Sequence, residues 1–148
     1  MSAVTSEAPA GLRLMEAIAA GVLPPPPAAL LLGLEIDEVT EGRITFGFTS
    51  DDRYSNGSTT HGGVLAAVAD FALSTAVMTE LEAGADVVTT NLNVTYLRPV
   101  PLAGRFRCEG RVVRRGRTIA HADATMTDER SREVLRATGT FHLRPPTG

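Results

Sequence analysis

The stretch 59-TTHGGVLAAVADFALSTAVMT-79 decides the reading of this chain. From Gly62 to Thr79 it is small and apolar almost throughout, with one ionisable residue, Asp70, in its middle. Seventeen or so such residues predict a helix, and a helix that is apolar on nearly every side has to be enclosed by other structure. Its length approaches the roughly 20 residues of a membrane span. A central Asp, paired Gly, several Ala and the lack of aromatic or basic anchors at its ends argue against that.

What surrounds the helix is β-structure. From Asp86 onward the pattern has strand periodicity only, over Val87 to Arg98, Arg105 to Arg115, Arg117 to Thr127 and Glu133 to Leu143. In the last run Leu135, Ala137, Gly139, Phe141 and Leu143 alternate with Arg136, Thr138, Thr140 and His142, giving one buried and one wet face. The connections Pro99 to Gly104, Gly116 and Asp128 to Arg132 are too short for helical crossovers and predict hairpins. Upstream, Leu34 to Thr49 carries two β-like runs broken by a Glu41-Gly42 turn, and Gly11 to Val22 predicts a short helix stopped by Pro24 to Pro27. The expectation is a loose N-terminal tail over residues 1–10 and a single domain over residues 11–148, in which an antiparallel sheet wraps one long helix.

Composition narrows the function classes. The 148 residues, 43% apolar and 21% charged, suit one globular domain. A formal charge of −3 disfavours nucleic acid as a partner. The basic residues are all Arg, and seven of them crowd between Arg98 and Arg117, where an anion could be met. The single Cys108 excludes an intrachain disulfide, and the N-terminus lacks a signal-peptide pattern, so a cytoplasmic setting is expected. No metal or cofactor is expected: His61, His121 and His142 have no ligand spacing, and no P-loop or dinucleotide fingerprint occurs. Ser58 and Ser131 lack a nucleophile elbow.

Asp70 needs a reason, because an unpaired carboxylate in a water-poor helix is costly or becomes protonated. Either it lies on a partly wet stripe of the helix, or it is a general base or nucleophile at a pocket edge. Ser74, four residues on, shares its face and could hold the same water. Ala66, Ala67, Phe71 and Leu73 suggest apolar lining. His61-Gly62-Gly63 leads into the helix, whose first turn has free N–H groups and partial positive charge, the outline of an oxyanion hole. Nine positions separate His61 from Asp70, roughly 13 Å of helical rise and half a turn. If both serve one carbonyl, the second comes from another copy of the chain, in a two-fold dimer with composite sites.

HGG followed by an apolar helix with an acid nine residues after the His, then VVTTNLNVTYLRP, GRVVRRGRT and a final ATGTFHL strand, resembles the hotdog-fold acyl-CoA thioesterases of the PaaI type, from about Leu30 to Leu143. The resemblance implies an α+β hotdog fold, an antiparallel sheet of about five to six strands around one long central helix, in dimers that commonly pair into tetramers. It implies metal-free hydrolysis of coenzyme A thioesters. By the same resemblance the Gly62 N–H polarises the carbonyl, His61 supports the loop, Asp70 of the partner chain is base or nucleophile, Ser74 assists the water and Thr89 lines the site. The family pattern has Asn six and Gly three residues before the His. Here Ser55 and Ser58 stand there, with Asn56-Gly57 one position off, so Asn56 is the substitute. Gly63 is a further substrate contact, and Arg114, Arg115 and Arg117, near strand ends with Arg98, are candidates for the coenzyme A phosphates. Two alternatives share the fold: an acyl-CoA-binding regulator without catalysis, and an enoyl-CoA hydratase, for which the usual nearby Asp and His in one loop are missing.

Overall fold

The computed structural model describes residues 7–148. The first six residues of the tail expected over 1–10 lie outside the described residues, and Ala10 already begins α1 (Ala10–Ala19). This helix ends three residues before Val22. Gly21, at φ +74°, accommodates a left-handed cap in which the Gly21 N–H reaches Ile18 O and the Val22 N–H reaches Ala17 O. A five-residue helix, α2 (Pro27–Leu31), follows.

The long helix, α3 (Gly62–Met78), forms as the composition requires. It buries Leu65, Val68, Ala69, Ala72, Leu73, Thr75, Ala76 and Val77 against a six-stranded antiparallel sheet. The strands are β1 (Glu35–Thr40), β2 (Arg43–Thr49), β3 (Asp86–Tyr96), β4 (Arg105–Arg115), β5 (Ile119–Thr127) and β6 (Glu133–Arg144), in the spatial order β1-β2-β4-β5-β6-β3. Phe48, Ile44, Met126, Leu135 and Phe141 face the helix, fully buried. Each such side chain contributes about 1.5–3 kcal/mol relative to exposure. At Gly110 helix and sheet touch backbone to backbone, and a Cβ there would run into the Ala72 carbonyl. Thr79 fastens the other end: its hydroxyl donates to Ala76 O (2.6 Å) and accepts the Gly42 N–H of the β1–β2 turn (2.7 Å).

Two expectations are corrected. The Pro99 to Gly104 connection is not a hairpin, because β3 pairs with β6 at one edge while β4 pairs with β2 and β5. Three strand spacings amount to about 14 Å, within the roughly 20 Å that six extended residues reach, so a short link does not force adjacent pairing. The link crosses in front of the α3 N-terminus, where Val100 O accepts the Thr60 N–H (2.9 Å) and Pro101 O accepts the Thr60 hydroxyl (3.2 Å). Nor is α3 fully enclosed within one chain. Ala66, Ala67, Asp70, Phe71 and Ser74 remain half-buried in a stripe along the helix, whereas Leu73, expected to line a pocket, points into the core and is fully buried.

The edge strand β3 is mostly exposed, with Val87, Leu92 and Val94 packed against the core. Its pairing with β6 shifts register between Thr89 and Asn91. That bulge reverses the strand's alternation: Val87 and Thr89 point inward before it, Leu92 and Val94 after it.

Candidate active site

The α3 N-terminus is built by local capping. His61, at φ −58° and ψ 131°, is the N-cap, and its Nδ1 accepts the Gly63 N–H (2.9 Å). His61 O accepts from Val64 N (3.0 Å) and Leu65 N (3.3 Å), and the His61 N–H donates to Tyr54 O (2.8 Å). The first-turn amides are thus satisfied except that of Gly62, which makes no hydrogen bond to any described residue. The imidazole is ordered by its own helix, so the rearranged loop before it is not needed for that. Asn56 closes a turn within that loop, its Oδ1 facing Thr59 N (3.3 Å) and Thr59 Oγ1 (3.4 Å). It shares with Gly62, Leu65, Tyr96 and Val100 the wall of a shallow cavity of about 290 Å³.

Asp70 lies on the half-buried stripe, where Thr89 of β3 donates its hydroxyl to Oδ1 (2.9 Å). The residue is therefore neither deeply buried nor without a partner. The other carboxylate oxygen makes no hydrogen bond to a described residue. Ser74 shares the face but turns its hydroxyl back to the Asp70 backbone carbonyl (2.7 Å), an ordinary i−4 bond, and does not touch the carboxylate.

The residues singled out in the sequence thus fall into three places. His61, Gly62, Gly63 and Asn56 gather at the start of α3; Asp70, Ser74 and Thr89 gather at its middle, eight positions on from Gly62 and about 12 Å of rise away. Arg115 and Arg117 lie at its far end around a cavity of about 540 Å³ shared with Glu80, Leu143 and Arg144. Arg115 Nε pairs with Glu80 (3.1 Å), while Arg114, on β4 opposite His121, and Arg117 form no ion pair among the described residues. Arg105 and Arg107 pair with Glu35, Asp37 and Glu38 of β1 on an exposed face. His121 and His142 are exposed on the outer face of the sheet, and Cys108 is wholly buried with its thiol pushed up to about 12 by desolvation.

Tyr96 was not singled out. Its hydroxyl donates to Gly62 O (2.6 Å), and its ring covers the glycine so closely that a Cβ on Gly62 would meet it at 3.3 Å. The only sequence signal was an aromatic closing the NLNVTY strand, which alone reads as edge packing.

A six-stranded antiparallel sheet wrapped on one long helix is a hotdog domain. Residues 57–135 match the family model of the Thioesterase superfamily, and the chain belongs to that superfamily. A Saccharolobus solfataricus protein provisionally named an esterase is 31% identical over 111 residues, 74% of this chain and 73% of its own length. Acyl-coenzyme A thioesterase 13 of Mus musculus is 27% identical over 77 residues, 52% of this chain and 54% of its own. The crystal structure of a phenylacetic acid degradation-related protein of Ralstonia eutropha, provisionally described as a thioesterase, is 31% identical with a TM-score of 0.79 over 86% of this chain and 97% of its own. The fold is the PaaI-type hotdog, and the protein is a thioester hydrolase. Among the described residues no helix is long and apolar enough to cross a membrane.

Proposed function

We propose that the protein hydrolyses acyl-coenzyme A thioesters to free acid and coenzyme A, in a site built by two protomers. The observation that carries this is the open stripe of α3, with an unpartnered Gly62 N–H at one end and a Thr89-anchored carboxylate at its middle. Within one chain they are too far apart to serve one carbonyl, which needs a donor and an attacking oxygen each within about 3 Å. The eleven-residue β3 leaves one edge unpaired. Two-fold pairing along that edge satisfies its backbone groups, sets the two helices antiparallel and gives Gly62 of one protomer an Asp70 from the other.

In this reading the thioester carbonyl oxygen sits on the Gly62 N–H. Asp70 removes a proton from water as the water oxygen attacks the carbonyl carbon. The tetrahedral oxyanion is held by Gly62, where each donor of this kind is worth roughly 3–4 kcal/mol. Collapse breaks the C–S bond, and the thiolate leaves with the proton that Asp70 had taken. The Thr89 hydroxyl on Oδ1 supports the base role, since it orients the carboxylate and leaves the other oxygen for water. Ser74, its hydroxyl engaged, steadies the Asp70 turn. Arg114 and Arg117 offer uncompensated charge to the phosphates of coenzyme A.

Thiol release from acetyl-, phenylacetyl- and palmitoyl-coenzyme A tests the reading. Asp70→Asn is expected to lower kcat by about 10²- to 10⁴-fold, the span of a general base, with the assembly and Tm unchanged. Near-normal turnover by that variant would end the assignment.

A further inference from the structure

We infer that Tyr96 is a positioning residue for the Gly62 amide, and that the bulge in β3 lets one strand hold the base of one composite site and the oxyanion donor of the other. The inference rests on the proposed role of Gly62. Two successive glycines begin α3, and glycine does not by itself choose a backbone direction. The direction of the Gly62 N–H is therefore imposed from outside, through the two peptide planes flanking its Cα. The preceding plane is held where His61 O accepts from Val64 and Leu65. The following plane is clamped at both ends, its Gly63 N–H by His61 Nδ1 (2.9 Å) and its Gly62 carbonyl by the Tyr96 hydroxyl (2.6 Å). Only the Tyr96 tie reaches across from the sheet.

Tyr96 and Thr89 are seven residues apart, an odd separation that in a regular strand sends side chains to opposite faces. The register shift between Thr89 and Asn91 cancels that parity. Both hydroxyls then reach α3, Thr89 at the Asp70 carboxylate and Tyr96 at the Gly62 carbonyl. The strand acts as a strap with two buckles, one for the base and one for the oxyanion donor.

Tyr96→Phe deletes one hydroxyl and keeps the ring. With the coenzyme A thioester that the wild type turns over fastest, kcat is expected to fall about tenfold, with KM within about twofold and Tm unchanged. The Gly63 amide ¹⁵N resonance, which reports the hydrogen bond at the Gly62 carbonyl, shifts, and the first-turn amides exchange faster. Wild-type kcat in Tyr96→Phe, alongside an inactive Asp70→Asn, overturns the role of Tyr96 and leaves the hydrolase reading standing. If the wild type releases no thiol from any ester, that reading fails separately, and unmoved Gly62 and Gly63 resonances in Tyr96→Phe then overturn the clamp itself.

Discussion

Gly62→Pro is the most discriminating perturbation the structure offers, because it removes the proposed oxyanion donor and little else. Gly62 is the first helical residue, where a proline's fixed φ fits and its missing N–H breaks no intrahelical bond. His61, at φ −58° and ψ 131°, already has the extended backbone that a following proline demands. The Gly62 amide donates to no described residue, so no internal hydrogen bond is lost. The new Cβ meets only the Tyr96 ring, which at 3.3 Å must yield a few tenths of an ångström. Stability should therefore change by less than about 1 kcal/mol, while kcat falls by about 10²- to 10³-fold, the loss of one donor. Composite sites add a sharper test. Gly62→Pro and Asp70→Asn homodimers are each inactive, but a mixed dimer carries one site with both defects and one with neither. Co-refolding equal amounts gives half mixed dimers, each with one intact site of two, and so about one quarter of wild-type thiol release. No recovery in the mixture, or full activity in Gly62→Pro alone, would refute the arrangement.

Two further outcomes concern the scaffold. Gly110→Ala drives a methyl group into the Ala72 carbonyl, and overpacking of that kind should cost about 3 kcal/mol; thermal unfolding should show Tm lower by about 6–12 °C. Cys108, buried with its thiol held up near 12, should not react with an aromatic disulfide reagent at pH 8 in the folded protein, and should titrate as one thiol per chain in guanidinium. Rapid reaction in the native state would contradict its burial and would add background to the thiol-release assay.

Much of the molecule was legible from local pattern. The apolar run after His61 reads as a core helix, the alternation from Leu135 to Leu143 as a half-buried strand, and Glu41-Gly42 as a turn, Gly42 taking φ +79°. The family resemblance implied that Thr89 lines the site, but not that its hydroxyl meets the Asp70 carboxylate of its own chain at 2.9 Å. Strand order was not legible. Local pattern says that β3 is a strand but not that β6 is its neighbour, and a six-residue link suits a hairpin or a hop across three spacings equally well.

Residue type and spacing by themselves determined the long helix and most of the strands, because helix and strand periods are short-range properties of the chain. Only the tertiary structure decided that β3 is an edge strand beside β6, that one bulged residue turns Thr89 and Tyr96 onto the same side, and that the helix keeps an open stripe. Those follow from how a twisted sheet curls partway around one helix, a matter of long-range pairing that no window of sequence contains.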